Sequence, residues 1–145
     1  MKPLCRAALP ALVLALALAQ AAPALAHGPA ARAALDSYAL GLKQRNGVGM
    51  ARDLGAARRS LGQAAEDGLP AAMFMLAQML EAGEGGARDA DGARAWIARA
   101  AQLEYPEALQ EQALRERDPQ RAAELLREAA HALQHRAREN RGPGW

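Results

Sequence analysis

Residues 46–72 read NGVGMARDLGAARRSLGQAAEDGLPAA, and residues 82–108 read AGEGGARDADGARAWIARAAQLEYPEA. Laid over each other without a gap, they share Gly47/Gly83, Gly49/Gly85, Asp53/Asp89, Ala64/Ala100, Ala65/Ala101 and Pro70/Pro106, each pair 36 residues apart. A fixed period in the range of about 20–50 residues means stacked helical units rather than one closed core. Each unit reads as helix A, a glycine loop and helix B. Pro70 suits the first position of a helix, where an amide hydrogen has no partner to lose. In AAMFMLAQMLE (71–81), Ala72, Leu76 and Leu80 recur at helical spacing, with Phe74 flanking them. Gly83 and Gly85 supply the loop, and Asp89 caps helix B. Ala93, Trp96, Ile97, Ala100 and Ala101 then form its inner stripe. The first unit repeats this plan with Tyr38, Leu40 and Gly41 on helix A, Asp53 as cap, and Ala57, Leu61, Ala64 and Ala65 as stripe. Small matched residues let helices approach closely, which suits a chain with 3% aromatic residues.

A third unit is shortened. Asp118, Ala122, Leu125 and Ala129-Ala130 follow Asp89, Ala93, Trp96 and Ala100-Ala101 by 29 residues, and the glycine loop is missing. Pro119 follows Asp118 directly, a cap with proline at the first helical position. This unit reads as a C-terminal cap of the array. The expected fold is all-α: a short right-handed α/α solenoid over 35–138. Its units are 36–71, 72–107 and a truncated 108–138, and 139–145 forms a disordered tail.

The first residues read differently. Lys2 and Arg6 precede a Leu/Ala/Val run (7–19), and Ala24-Leu25-Ala26 offers small residues for cleavage, so 1–26 reads as a secretory signal peptide. Cleavage after Ala26 starts the exported chain at His27, with 27–34 as a flexible lead-in; Ala21 is the other candidate. The run is too short for a stable membrane span. Cys5 leaves with the leader, so the exported chain has no disulfide and no thiol chemistry. Without Lys2 and Arg6, 16 basic residues face 16 acidic ones. That balance argues against a nucleic-acid binder. Arg136, Arg138 and Arg141 crowd the C-terminus, either as cations favoured at a helix end or as a basic patch for an acidic partner or lipid surface.

These residues resemble the Sel-like repeat (Sel-one-like repeat), a relative of the tetratricopeptide repeat. Tyr38, Leu40, Gly41, Gly47, Gly49, Asp53, Ala57, Ala64, Ala65, Gly68 and Ala72 carry the pattern in the first unit. Ala72, Phe74, Leu76, Gly83, Gly85, Asp89, Ala93, Trp96, Ala100, Ala101 and Ala108 carry it in the second. Met50 and Gly86 replace a valine, Gln44 replaces an aromatic, and Glu104 stands where a glycine would close helix B. The resemblance implies a non-enzymatic scaffold or adaptor for a protein or peptide partner. With the leader, it places that scaffold in a bacterial periplasm. The other readings are a periplasmic hydrolase with a carboxylate site, and a structural protein that binds peptidoglycan or a membrane surface.

The resemblance also implies that A helices line the concave face. Equivalent outward positions there are Ala39, Met75 and Glu111, and Lys43, Met79 and Arg115, with Met73 beside them. Methionines adapt to irregular surfaces. Met75 and Met79 therefore either floor a peptide groove or fill gaps between helices. No cofactor is expected. His131 and His135, four residues apart, have metal-chelating spacing, but Ala132 occupies the place of the glutamate in the zinc-protease motif. An amino-terminal His27 needs a second histidine to hold copper. Ser37 and Ser60 are the only serines, and Gly83-Glu84-Gly85-Gly86 lacks the Lys-Ser/Thr of a phosphate loop.

Overall fold

A computed structural model describes residues 28–141. The expected leader (1–26), His27 and residues 142–145 of the expected tail lie outside them. Six helices follow in order: α1 (Pro29–Asn46), α2 (Leu54–Glu66), α3 (Pro70–Ala82), α4 (Ala90–Gln102), α5 (Pro106–Arg115) and α6 (Pro119–Glu139). No strand occurs among the described residues. Each helix packs chiefly on the one before and the one after it, so the six form an all-α repeat solenoid of three helix pairs.

Helix α1 begins at Pro29, six residues before the expected start. Gly28 is its N-cap and Pro29 its first residue, and the alanine-rich stretch that follows is a good helix former, so the expected lead-in is helical from Pro29 onward. Pro70, Pro106 and Pro119 open α3, α5 and α6 in the same way.

The repeat extends to individual hydrogen bonds. The Asp53 carboxylate accepts from the Ala56 amide and the Asp89 carboxylate from the Gly92 amide, both at 2.8 Å. Arg52 Nε donates to the Arg45 carbonyl, and Arg88 Nε to the Glu81 carbonyl, at 3.1 and 2.7 Å. The Asp53 and Asp89 amides donate to the carbonyls of Gln44 and Leu80, both at 2.9 Å. Each loop is thus tied to the end of its own helix A. Gly47 and Gly83 end α1 and α3 with φ of 71° and 70°.

The core is mostly alanine: Ala57, Ala64, Ala65, Ala72, Ala77, Ala93, Ala100 and Ala108 are fully buried. Leu61, Met73 and Met79 are the largest side chains sealed inside it. At about 25 cal/mol per Å2, alanines bury little area each, so stability rests on close backbone approach. Gly41 shows how close: a Cβ there would meet Leu61 Cγ at 2.7 Å.

The third pair departs from the plan as the missing glycine loop requires. α5 has 10 residues where α3 has 13, and α6 has 21 where α4 has 13. α6 is held near its far end by Arg136. That side chain pairs with Glu107 at 2.8 Å and lies 5.9 Å from the Tyr105 ring.

Candidate functional site

Between α3 and α5 lies an open cleft of about 280 Å3. Phe74, Gln78, Glu81 and Ala82 line its α3 wall, Glu111 and Arg115 its α5 wall, and Ala77 and Ile97 lie beneath. Its charged groups are held in ion pairs. Glu111 accepts a salt bridge from Arg115 one turn on, at 2.9 Å, and Glu81 pairs with Arg88 from the loop. Phe74 is braced by Tyr105, whose ring sits 5.8 Å away at a 50° tilt, a favourable aromatic geometry. Burial pushes the Tyr105 hydroxyl above its ordinary pKa, with the Glu107 charge adding to that and Arg136 opposing it. Burial also pushes Glu107 upward, but the Arg136 hydrogen bond and its own backbone amide outweigh it and hold the carboxyl low. An apolar floor, an aromatic and a few oriented charges can hold a side chain or a short extended segment.

The seven residues expected to make a groove divide. Glu111 and Arg115 line the cleft. Met73 and Met79 are fully buried and touch no solvent, so they are core and not a groove floor. Met75 is half-buried, with Arg45 donating to its sulfur at 3.1 Å. Ala39 and Lys43 are exposed on α1, away from the cleft. The reason is geometric. Neighbouring A helices face each other with opposite flanks, so positions 36 residues apart never line one junction together. At the α1/α3 junction α1 presents Arg45, and α3 presents Met75. Arg45 also pairs with Glu84 at 2.8 Å, and this hydrogen bond chiefly holds Glu84 below the usual carboxylate range. At the α3/α5 junction, Phe74, Gln78 and Glu81 face Glu111 and Arg115 instead. Methionine fills the first junction, and a paired Glu and Arg leave the second open. Phe74, Gln78 and Glu81 were findable from the sequence as the partners of Tyr38, Leu42 and Arg45 at the 36-residue spacing.

A second hollow, of about 330 Å3, lies where α6 passes the end of α4 and is lined by Ala101, Glu104, Leu109, Arg127, Glu128 and His131. Glu104 has a φ of 54°, in the left-handed region, at the position where the first unit has Gly68 at 91°. His131 and His135 are both exposed, and His135 Nδ1 lies 3.3 Å from Glu139. Among the described residues no three His, Cys, Asp or Glu side chains are grouped to hold a metal, and no helix is long and apolar enough to cross a membrane.

No family model matches the chain, and no curated protein matches it in sequence. Solved structures do. A Sel1 repeat protein from Oxalobacter formigenes superposes with a TM-score of 0.66 at 25% identity, over 72% of this chain and 46% of that one. The protein c5321, a protective antigen of uropathogenic Escherichia coli strains displaying an SLR fold, superposes with a TM-score of 0.62 at 28% identity, over 68% of this chain and 22% of that one. This chain thus spans less than half the length of either. The spacing of the repeat, the paired helices and these neighbours agree: the chain has the Sel-like repeat fold.

Proposed function

We propose that this is an exported, non-enzymatic adaptor of the bacterial envelope that holds a protein or peptide partner in the α3/α5 cleft. The observation that carries the reading is the cleft itself. It is the place where the junction between successive A helices stays open, and it sets Phe74 beside two ion pairs at its rim. The neighbours' fold, built from interaction repeats, supports a protein partner. The carboxylates of the cleft are engaged with arginines, an arrangement suited to orienting contacts rather than moving protons. Export rests on the leader-like residues 1–26.

The test uses a photo-crosslinking residue placed in turn at Gln78 in the cleft and at Arg59 on α2, both exposed, in the native cell. A discrete protein adduct from Gln78 and none from Arg59 is the expected result. Adducts from both positions, or from Arg59 alone, would overturn the cleft as the binding site. Amino-terminal sequencing of the mature protein checks export, with His27 expected first.

A further inference from the structure

The hollow beside α4 and α6 is where the repeat changes charge. Two of its lining residues, Glu104 and Leu109, follow Gly68 and Met73 by 36 residues, and Arg127, Glu128 and His131 follow Ala98, Arg99 and Gln102 by 29. At the earlier junction the one charged side chain of this set, Arg99, lies 3.8 Å from Glu66. At the later junction four ionisable side chains stand around an apolar floor of Ala101 and Leu109. Among the described residues none of the four forms a salt bridge, either with one another or with any other side chain. The α3/α5 cleft is the opposite case, since Glu81, Glu111 and Arg115 are all paired.

The chemistry of the lining narrows what it can receive. Glu104 holds a φ of 54° at the place where Gly68 adopts 91°. The left-handed region disfavours any side chain, so this carboxylate stands at the hollow against the preference of its backbone. Strain of that kind points to a role for the side chain. Arg127 Nε donates to the Ala123 carbonyl at 3.2 Å, which ties the side chain to its own helix and leaves the terminal nitrogens to act. His131 lies one turn from Arg127 along α6, so both can donate to one anionic group. Glu104 and Glu128 are acceptors when ionised. The two carboxylates oppose a simple anion, and the guanidinium opposes a simple cation. A metal ion does not fit, because among the described residues no three His, Cys, Asp or Glu side chains are grouped to hold one. At about 330 Å3 the hollow is at the small end of ligand pockets, which run from about 300 to 1,000 Å3, so its occupant is one small molecule rather than a length of chain.

We propose that this hollow binds a free α-amino acid with an apolar side chain. The carboxylate sits on Arg127 and His131, the ammonium on Glu104 and Glu128, and the side chain over Ala101 and Leu109. The site is separate from the α3/α5 cleft and does not depend on the partner proposed there.

The probe is L-leucine, titrated into the purified protein near pH 7 and followed by ligand-observed NMR, with a thermal melt of each variant alongside. Leucinamide keeps the ammonium and loses the anionic charge; N-acetyl-leucine keeps the carboxylate and loses the ammonium. Each is expected to bind at least tenfold more weakly than leucine, because each leaves charged groups of the lining unanswered. Arg127→Gln is expected to weaken leucine at least tenfold and to leave leucinamide unchanged, a pattern that loss of the fold would not give. Glu104→Gly is expected to weaken leucine at least tenfold although it relieves the backbone, which separates a lost contact from unfolding. Gln78→Arg in the cleft is expected to leave leucine binding unchanged. The proposal is overturned if leucine does not bind at millimolar concentration, if either analogue binds as tightly as leucine, or if Glu104→Gly binds it like the wild type.

Discussion

Gly85 and Gly49 occupy the same place in successive loops with nearly the same backbone, φ of 73° and 74°, yet their surroundings differ. A Cβ at Gly49 would meet nothing within 4 Å. A Cβ at Gly85 would lie 2.2 Å from the Leu54 carbonyl oxygen and 3.0 Å from the Gly55 nitrogen, on the first turn of α2. Gly49→Ala therefore reports the left-handed backbone alone. That penalty is about 1–2 kcal/mol, reduced by about 0.4–1 kcal/mol because alanine restricts the unfolded chain, leaving roughly 1 kcal/mol. Gly85→Ala carries the same cost plus a collision with backbone, which no rotamer change relieves. The loop of the second unit must lift off α2, and overpacking of this kind costs about 1–3 kcal/mol more. Urea unfolding of both variants with the m-value held common measures the difference. For a domain of this size, melting should fall further for Gly85→Ala than for Gly49→Ala by roughly 4 °C per kcal/mol. Equal losses would refute the seat of the second loop on the first turn of α2, and with it the stacking that joins units one and two.

Three further outcomes follow from particular contacts. Glu104→Gly should raise the unfolding free energy measured in urea by about 0.5–1 kcal/mol, since it relieves a left-handed glutamate at the position where Gly68 stands in unit one; an unchanged or lower midpoint would count against it. The Arg136–Glu107 pair should add at most about 0.2–1 kcal/mol at neutral pH, because both side chains are more than a third exposed. Since the Glu107 carboxyl is held low, that stability is present above the ordinary carboxylate range and is lost as pH falls through the lowered value. The gap between the wild type and Glu107→Gln should thus begin to narrow as pH falls below the ordinary glutamate value of about 4.3, and a gap that widens on acidification would contradict this. Met79→Asp should unfold the protein, as an unpaired carboxylate in a sealed core costs several kcal/mol. A thermal melt near that of the wild type would return Met79 to the surface.

The framework was legible because it repeats in residues that do local work. Asp53 and Asp89 cap, Pro70 and Pro106 start helices, and Gly47 and Gly83 end them; each of these acts within a few residues of itself. The start of α1 was misplaced because the alanines after Pro29 have helix propensity but no flanking copy to compare with. The site was only half legible for a different reason. Superposing units reveals equivalent positions, but a junction between units is made of non-equivalent ones. Met75 and Met79 looked like neighbours of Glu111 and Arg115 in the alignment, and in space they belong to a different junction. The pairing becomes visible only when the residue at one position is read against the residue one unit and one helix flank away.

The same rule explains why the two ends of the solenoid differ. A face of α3 that is buried by α1 corresponds on α1 to Ala39 and Lys43, which are exposed. A polar lysine there suits a face open to water. At the other end, the positions of Leu61 and Ile97 become Leu126, and Gln78 becomes Leu114. Had α6 been shaped only to close the array, the physical expectation is polar residues at these places, as on the outer side of a terminal unit. Instead one position keeps its apolar character and the other gains it. Burying Leu114 and Leu126 alone would recover on the order of 1.5–3 kcal/mol each if both were fully exposed beforehand, and less for Leu126, which is already half covered.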